Sequence, residues 1–193
     1  MTLRAPRALT MVIATAAALG IGGCGGHTPV AVTPGPSSTP GVSPLPPRPT
    51  TLRMDGVDPC ALLSAPERSK LGVRELGSTT DANGTGCVWD NSPRRPDDSW
   101  TAGGVKRTAA EALRLGAAPF GLIGGFAAVK SASGLADPTF SCIVVLDTAP
   151  DQGLSVYYEN THKGAPGMSH EVACQRAATA AEMMVANLRT LAR

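Results

Sequence analysis

No run in this 193-residue chain stays apolar for the roughly 20 residues that a membrane-spanning helix needs. The longest, Ala8 to Ile21, covers about 14 and is broken by Thr10 and Thr15. Acidic residues are absent before Asp55, while Arg4 and Arg7 stand ahead of the apolar run. An excess of one charge is missing as well. Those two arginines belong to a set of 17 basic residues, and the 15 that follow balance 15 acids. The chain beyond residue 23 is therefore neutral. That excludes the basic footprint nucleic acid demands and the polybasic patch drawn to anionic lipid. Arg94-Arg95 and Lys106-Arg107, the closest clusters, read as solvated loop or strand-end charge.

Catalytic patterns are as scarce. The histidines are His27 in a proline-rich stretch, His162 in a Thr-His-Lys loop and His170 beside Glu171 in the first turn of a helix. Histidines that stand singly, with no second His beside them, read as surface residues, not as ligands or bases. There is no Gly-x-Ser-x-Gly elbow. A Ser/His/Asp triad assembles in space and leaves no spacing to read, yet nothing marks a nucleophile. Asp97-Asp98, in a Pro/Arg-rich loop, reads as a solvated pair and not an acid/base dyad. Gly121-Leu122-Ile123-Gly124-Gly125 lacks the strand-to-helix setting of a phosphate loop. It reads as a flexible loop that, with Pro119 and Phe120, could line an apolar pocket. No catalytic residue, metal or cofactor is expected.

What is present begins at the N-terminus. Arginines first, an apolar core second and small residues third is the order of an export signal. A buried helix of a cytosolic domain is the alternative, and it does not account for that order. Ile21-Gly22-Gly23-Cys24 resembles a bacterial lipobox: an aliphatic residue, two small ones, then cysteine. The resemblance implies cleavage before Cys24, a diacylglyceryl thioether on its sulfur and acylation of the freed amine, a palmitate-type modification. One acyl chain binds a membrane marginally and two or more bind it stably. Ordinary secretion would leave Cys24 a spare thiol without evident use. Residues 1–23 are thus expected as a lipoprotein signal. The mature chain is expected at the extracytoplasmic face of the cell membrane, held by its lipid.

Cys24 also resolves the odd cysteine count, since Cys60, Cys87, Cys142 and Cys174 remain as an even set. In an oxidising compartment such a set reads as two disulfides. Four cysteines allow three pairings, and sequence alone does not choose. Cys60 with Cys87 and Cys142 with Cys174 is the favoured pairing, because each then links neighbouring elements. Structural zinc usually takes a close pair of ligands, and these cysteines are all far apart.

Residues 24–54 read as a lipidated, disordered tether. Pro29, Pro34, Pro36, Pro40, Pro44, Pro46, Pro47 and Pro49 alternate with small residues, and such a composition cannot repay the entropy of ordering. At about 3.1 Å per residue its full reach is roughly 90 Å. Its Ser37-Ser38-Thr39-Pro40 and Pro49-Thr50-Thr51 runs are candidate sugar acceptors. Residues 55–193 read as one domain, large enough for a core. Asp58-Pro59 caps a first turn, Ser64 to Glu67 has capping-box spacing, and Leu62, Leu63 and Leu71 face inward. Asp81 to Gly86 is turn chemistry leading into a strand at Cys87-Val88-Trp89. Further strands are expected at Trp100–Lys106, Phe126–Ser131, Phe140–Asp147 and Leu154–Asn160, with Asp151-Gln152-Gly153 as a hairpin loop. Thr108 and Glu111 form a second capping box before a short helix that Gly116 stops. Ser169 caps the longest helix, where Ala173, Ala177, Ala180, Ala181, Met184, Leu188 and Leu191 recur at helical spacing beside Cys174. Met183-Met184 reads as core filling before ligand surface. The expected fold is α+β: an antiparallel sheet with helices packed on one side, a long C-terminal helix and two disulfides.

Asp58-Pro59-Cys60-Ala61-Leu62-Leu63, Gly86-Cys87-Val88-Trp89, a late-strand cysteine and one in the terminal helix together resemble an actinobacterial secreted lipoprotein family. It is a family of unknown function, and it includes the mycobacterial LprB- and LprC-type lipoproteins. The likeness spans the signal, the lipobox and most of the domain. It implies the same envelope location and two disulfides, and it carries over no catalytic residue. The expected role is a non-catalytic module that binds a small apolar ligand or an envelope protein. The alternative is an accessory part of a transporter or cell-wall complex, and an enzyme built from scattered residues comes a distant third. An apolar cavity is the feature that separates the first two.

Overall fold

The computed structural model describes residues 45–73, 77–80, 85–92, 97–132, 137–162 and 165–192. All belong to one compact unit, Pro40–Arg193. The signal, Cys24, most of the tether, His27, the Asn83-Gly84 turn and Arg94-Arg95 lie outside the described residues.

A 3-10 turn at Pro59–Leu62 and helix α1 at Ala65–Lys70 open the fold. Strands β1 (Ser78–Thr79), β2 (Gly86–Asp90) and β3 (Asp98–Val105) follow, then α2 at Ala109–Arg114. Strands β4 (Ala118–Ile123), β5 (Phe126–Ser131), β6 (Ser141–Leu146) and β7 (Gly153–Asn160) precede the 22-residue α3, His170–Leu191. The seven strands form one sheet in the order β1-β2-β3-β7-β6-β5-β4, with every neighbouring pair antiparallel. The α+β fold and both disulfides are as the sequence suggests: Cys60–Cys87 and Cys142–Cys174 are bonded.

Side chains alternate across the sheet, so register decides what each face offers. Trp89, Trp100, Tyr158 and Cys142 stand in one cross-strand row, and Ala102, Val156 and Val144 in the next. These are buried with Phe126 and Leu146 under the apolar stripe of α3, where Ala173, Cys174, Ala177, Ala180, Ala181, Met184, Val185 and Leu188 are fully covered. Small residues on α3 bring its axis close to the sheet, and Ser169 caps it by accepting from the Val172 N–H at 3.2 Å. Leu62 and Leu63 close the same core beside the 3-10 turn. The opposite face carries Val129 and Val145, covered by Ala109 and Ala112 of α2, so one short helix lies across from the others. Thr108 and Glu111 complete its capping box, each accepting from the other's backbone N–H, at 3.2 and 2.8 Å.

Three regions depart from the sequence reading. Residues 45–54, expected in the tether, lie along the domain as a strap. Leu52 and Met54 are buried, the Leu52 N–H donates to the Thr148 carbonyl at 2.8 Å, and the Met54 N–H donates to Gln152 Oε1 at 2.9 Å. Arg48 pairs with the nearly buried Asp147 at 2.9 Å. Proline content favours an extended chain, but two apolar side chains two residues apart give this one a side to bury. Second, the glycine-rich stretch expected as a loop is β4 and a tight hairpin turn. Gly124 and Gly125 have φ of 54° and 83°, the positive pair a two-residue hairpin takes without strain. The Gly124 N–H donates to Glu182 on α3 at 2.8 Å. Third, Asp98 opens β3 instead of lying in a solvated loop. Its Oδ1 accepts from Tyr158 Oη, from Asn160 Nδ2 at 2.9 Å and from Arg176 Nη1 at 2.9 Å.

Candidate functional site

The edge strand β4 and the side of α3 facing it enclose a groove of about 440 Å³, lined by Phe120, Leu122, Ile123, Ala178, Thr179, Glu182 and Met183. Three local features make it. A register shift at Phe120 bulges β4 away from β5, and bulges turn a strand edge and re-aim its side chains. Pro119 removes one backbone donor from the edge, which discourages strand pairing. The hairpin turn is tied down by Glu182 and by Arg189, whose Nη2 donates to the Gly124 carbonyl at 2.5 Å. Leu122 is left 63% exposed, among the most exposed large apolar side chains of the domain. Phe120 is half-buried under the Lys130 ammonium, 5.2 Å from its ring, and Lys130 in turn pairs with Glu171 at 2.5 Å. That ammonium holds the Glu171 carboxyl below the usual carboxylate range. The groove is mainly apolar in its lining, with Thr179 and Glu182 as its polar members.

Pro119 and Phe120 were expected beside an apolar pocket, and Phe120 does line this groove. The methionine pair divides: Met184 is wholly inside the core, whereas Met183 is half-buried at the groove. The other concavities described are also open. One of about 400 Å³ lies between Met54–Val57 and Gly104–Lys106, and one of about 560 Å³ opens beside α1.

The histidines divide too. His162 is exposed, 3.9 Å from Asp97. His170, expected at the surface, is instead half-buried and fixed: its Nδ1 donates to the carbonyls of Pro138 at 2.9 Å and Ser141 at 3.0 Å, and Nε2 lies 3.5 Å from Cys174 Sγ. Donor atoms of Cys142, His170 and Cys174 lie within 4.8 Å of one another. Both sulfurs are spent in the disulfide, so the thiolates zinc requires are not there, and the imidazole packs against the S–S bond. Tyr158, buried against the Trp100 ring at 5.2 Å, has its phenol pushed up by burial and then by the Asp98 carboxylate. It ionises too far above neutrality to act as a base. The hydroxyl–carboxylate pairs Ser64 with Glu67, at 2.6 Å, and Thr108 with Glu111, at 3.3 Å, are helix capping boxes.

Sequence reasoning missed β4 and Asp98. The first had a usable signal, since Phe120, Leu122 and Ile123 precede a Gly-Gly pair and a second strand. The second had none, because its partners lie about 60 residues away or more in sequence.

No curated protein and no solved structure matches the chain. A family described as "Protein of unknown function (DUF3558)" matches residues 19–187, which takes in Cys24, the strap, both disulfides and the groove. The chain belongs to that family.

Proposed function

We propose that this chain is a lipid-anchored protein of the cell envelope whose neutral domain acts by docking on an envelope partner and not by catalysis. One observation carries the docking part: Leu122, Phe120 and Met183 offer apolar surface along the β4 edge. A small apolar ligand needs a concave site that buries most of its surface, and an open groove suits a protein surface better. The openness of the groove also favours the accessory form of this role, as a part of a transporter or cell-wall complex. Anchoring is supported by the lipobox-like run Ile21-Gly22-Gly23-Cys24 behind Arg4, Arg7 and an apolar stretch. Within the family, the four-cysteine pattern supports kinship with the actinobacterial LprB- and LprC-type lipoproteins.

The two parts are tested separately. Cys24→Ala should release the protein from the membrane to the soluble fraction, and unchanged membrane retention sinks the anchor. A photo-crosslinking residue placed at Leu122 in living cells should give a discrete adduct. The same residue at Leu115, 70% exposed at the end of α2, should not. Equal labelling from both positions, or none from Leu122, sinks the docking surface.

A further inference from the structure

We propose that the strap at residues 45–54 regulates the groove. Seated, it holds the β4–β5 turn where that turn shapes the docking wall, so strap seating and docking are coupled. The partner half of this rests on the docking reading above; the coupling of strap to turn does not.

The groove has one firm wall and one that needs holding. Its α3 wall is packed on the core and stapled by Cys142–Cys174. Its β4 wall is an edge strand that pairs with β5 alone among the described residues. That strand is shifted in register at Phe120 and contains Pro119 and Gly121, so little within it fixes its place. What fixes it is the turn. From the α3 side, Glu182 accepts from the Gly124 N–H at 2.8 Å and Arg189 donates to the Gly124 carbonyl at 2.5 Å. A Cβ on Gly124 would stand only 2.8 Å from Val185 Cγ1, so the turn rests directly on the helix.

The strap holds the same hairpin from elsewhere, at three points. A Cβ on Gly125 would meet Pro49 Cγ at 3.5 Å, which sets Pro49 against the turn. Arg48 pairs with Asp147 at 2.9 Å, and the Asp147 N–H donates to the Ala127 carbonyl of β5 at 2.8 Å. Leu45 packs against the small cluster that includes Val129 of β5. With the strap unseated, α3 alone would hold the turn. Glu182 both ties the turn and lines the groove with Phe120 and Leu122, so a loosened turn loosens the docking wall with it. Docking favours a wall already in place, because ordering an interface is a cost of binding. The coupling is reciprocal, so an occupied groove also holds the strap.

The test is amide hydrogen exchange of the full chain, read residue by residue. Pro49→Gly, at an exposed position, removes the contact with Gly125, and Leu52→Ala with Met54→Ala unseats the strap. Amides of residues 120–126 should exchange about fivefold faster in the first variant and faster still in the second, with β7 and α3 unchanged. Unchanged exchange at 120–126 in the double variant, while the Leu52 and Met54 amides lose protection, overturns the proposal. Acceleration spread evenly over β6, β7 and α3 in both variants overturns it too. The crosslinker at Leu122 then reads docking in cells, and Pro49→Gly should weaken its adduct about fivefold. A full-strength adduct from a variant whose turn has loosened overturns the regulation. No adduct in the wild type sinks the docking reading alone, and exchange still decides whether strap and turn are coupled.

Discussion

The two faces of the sheet are held by different means. The face under α3 carries the large side chains, Trp89, Trp100, Phe126, Tyr158, Met184 and Leu188, and both disulfides pin a helical element to it. Cys60 ties the 3-10 turn to β2, and Cys174 ties α3 to β6. The face under α2 has four buried residues, Ala109, Ala112, Val129 and Val145, no disulfide among the described residues, and a helix of six residues set by its capping box. So short a helix has no stability of its own. The difference teaches that stability is concentrated on one side, and the other is a thin cover that local contacts maintain.

That contrast can be broken by measurement, starting with its strongest element. Replacing Cys142 and Cys174 together by alanine frees a loop spanning 32 residues. It should cost about 3–4 kcal/mol on the chain-entropy argument, read from urea unfolding midpoints. A loss below about 1 kcal/mol would mean that packing under α3 alone holds the helix. Next, Leu188→Ala on the α3 face should cost about 3 kcal/mol and Val145→Ala on the α2 face about 1–2. Equal losses would erase the distinction between the faces. Thr108→Ala removes the α2 cap and should cost about 1 kcal/mol, with loss of amide protection confined to α2 and its neighbours.

The smallest effect concerns acid. Burial pulls the Glu67 carboxyl up, but hydrogen bonds from the Ser64 hydroxyl and N–H and from Asn187 on α3 outweigh it and leave it below its ordinary value of 4.5. A depressed carboxyl stabilises the fold above its unfolded value, and that stability is lost as pH falls through the folded value. Glu67→Gln should therefore flatten the fall in melting temperature below about pH 4.5 and leave the remainder of the profile parallel to wild type. An unchanged acid limb would show that the α1–α3 clamp contributes nothing.

The better-built face was also the more legible one. The period of α3, the alternation in β6 and β7 and the caps at Asp58, Ser64 and Ser169 express themselves over neighbouring residues, as does the Thr108 cap of α2, and each stands close to where the sequence put it. The disulfide pairing followed from proximity of elements. What escaped the sequence depends on distant partners or on weak local preference. Asp98 gains its role from Tyr158, Asn160 and Arg176. Strand β4 contains Pro119 and Gly121, both poor strand residues, and it forms because β5 supplies a register. The strap was hidden by its prolines, although Leu52 and Met54 hold the alternation of a half-buried strand. The groove inherits this opacity, since β4 is one of its walls.

The strap changes how the domain is handled by whatever holds its N-terminal end. With Leu52, Met54 and Arg48 fastened beside the β6–β7 connection, a load applied there enters the domain at residues 45–54 and not at the 3-10 turn. A pull from that end first loads the contacts of the strap with Asp147, Thr148 and Gln152. The 3-10 turn and its disulfide to β2 lie behind them, so tension can strip the strap while the stapled body stays folded.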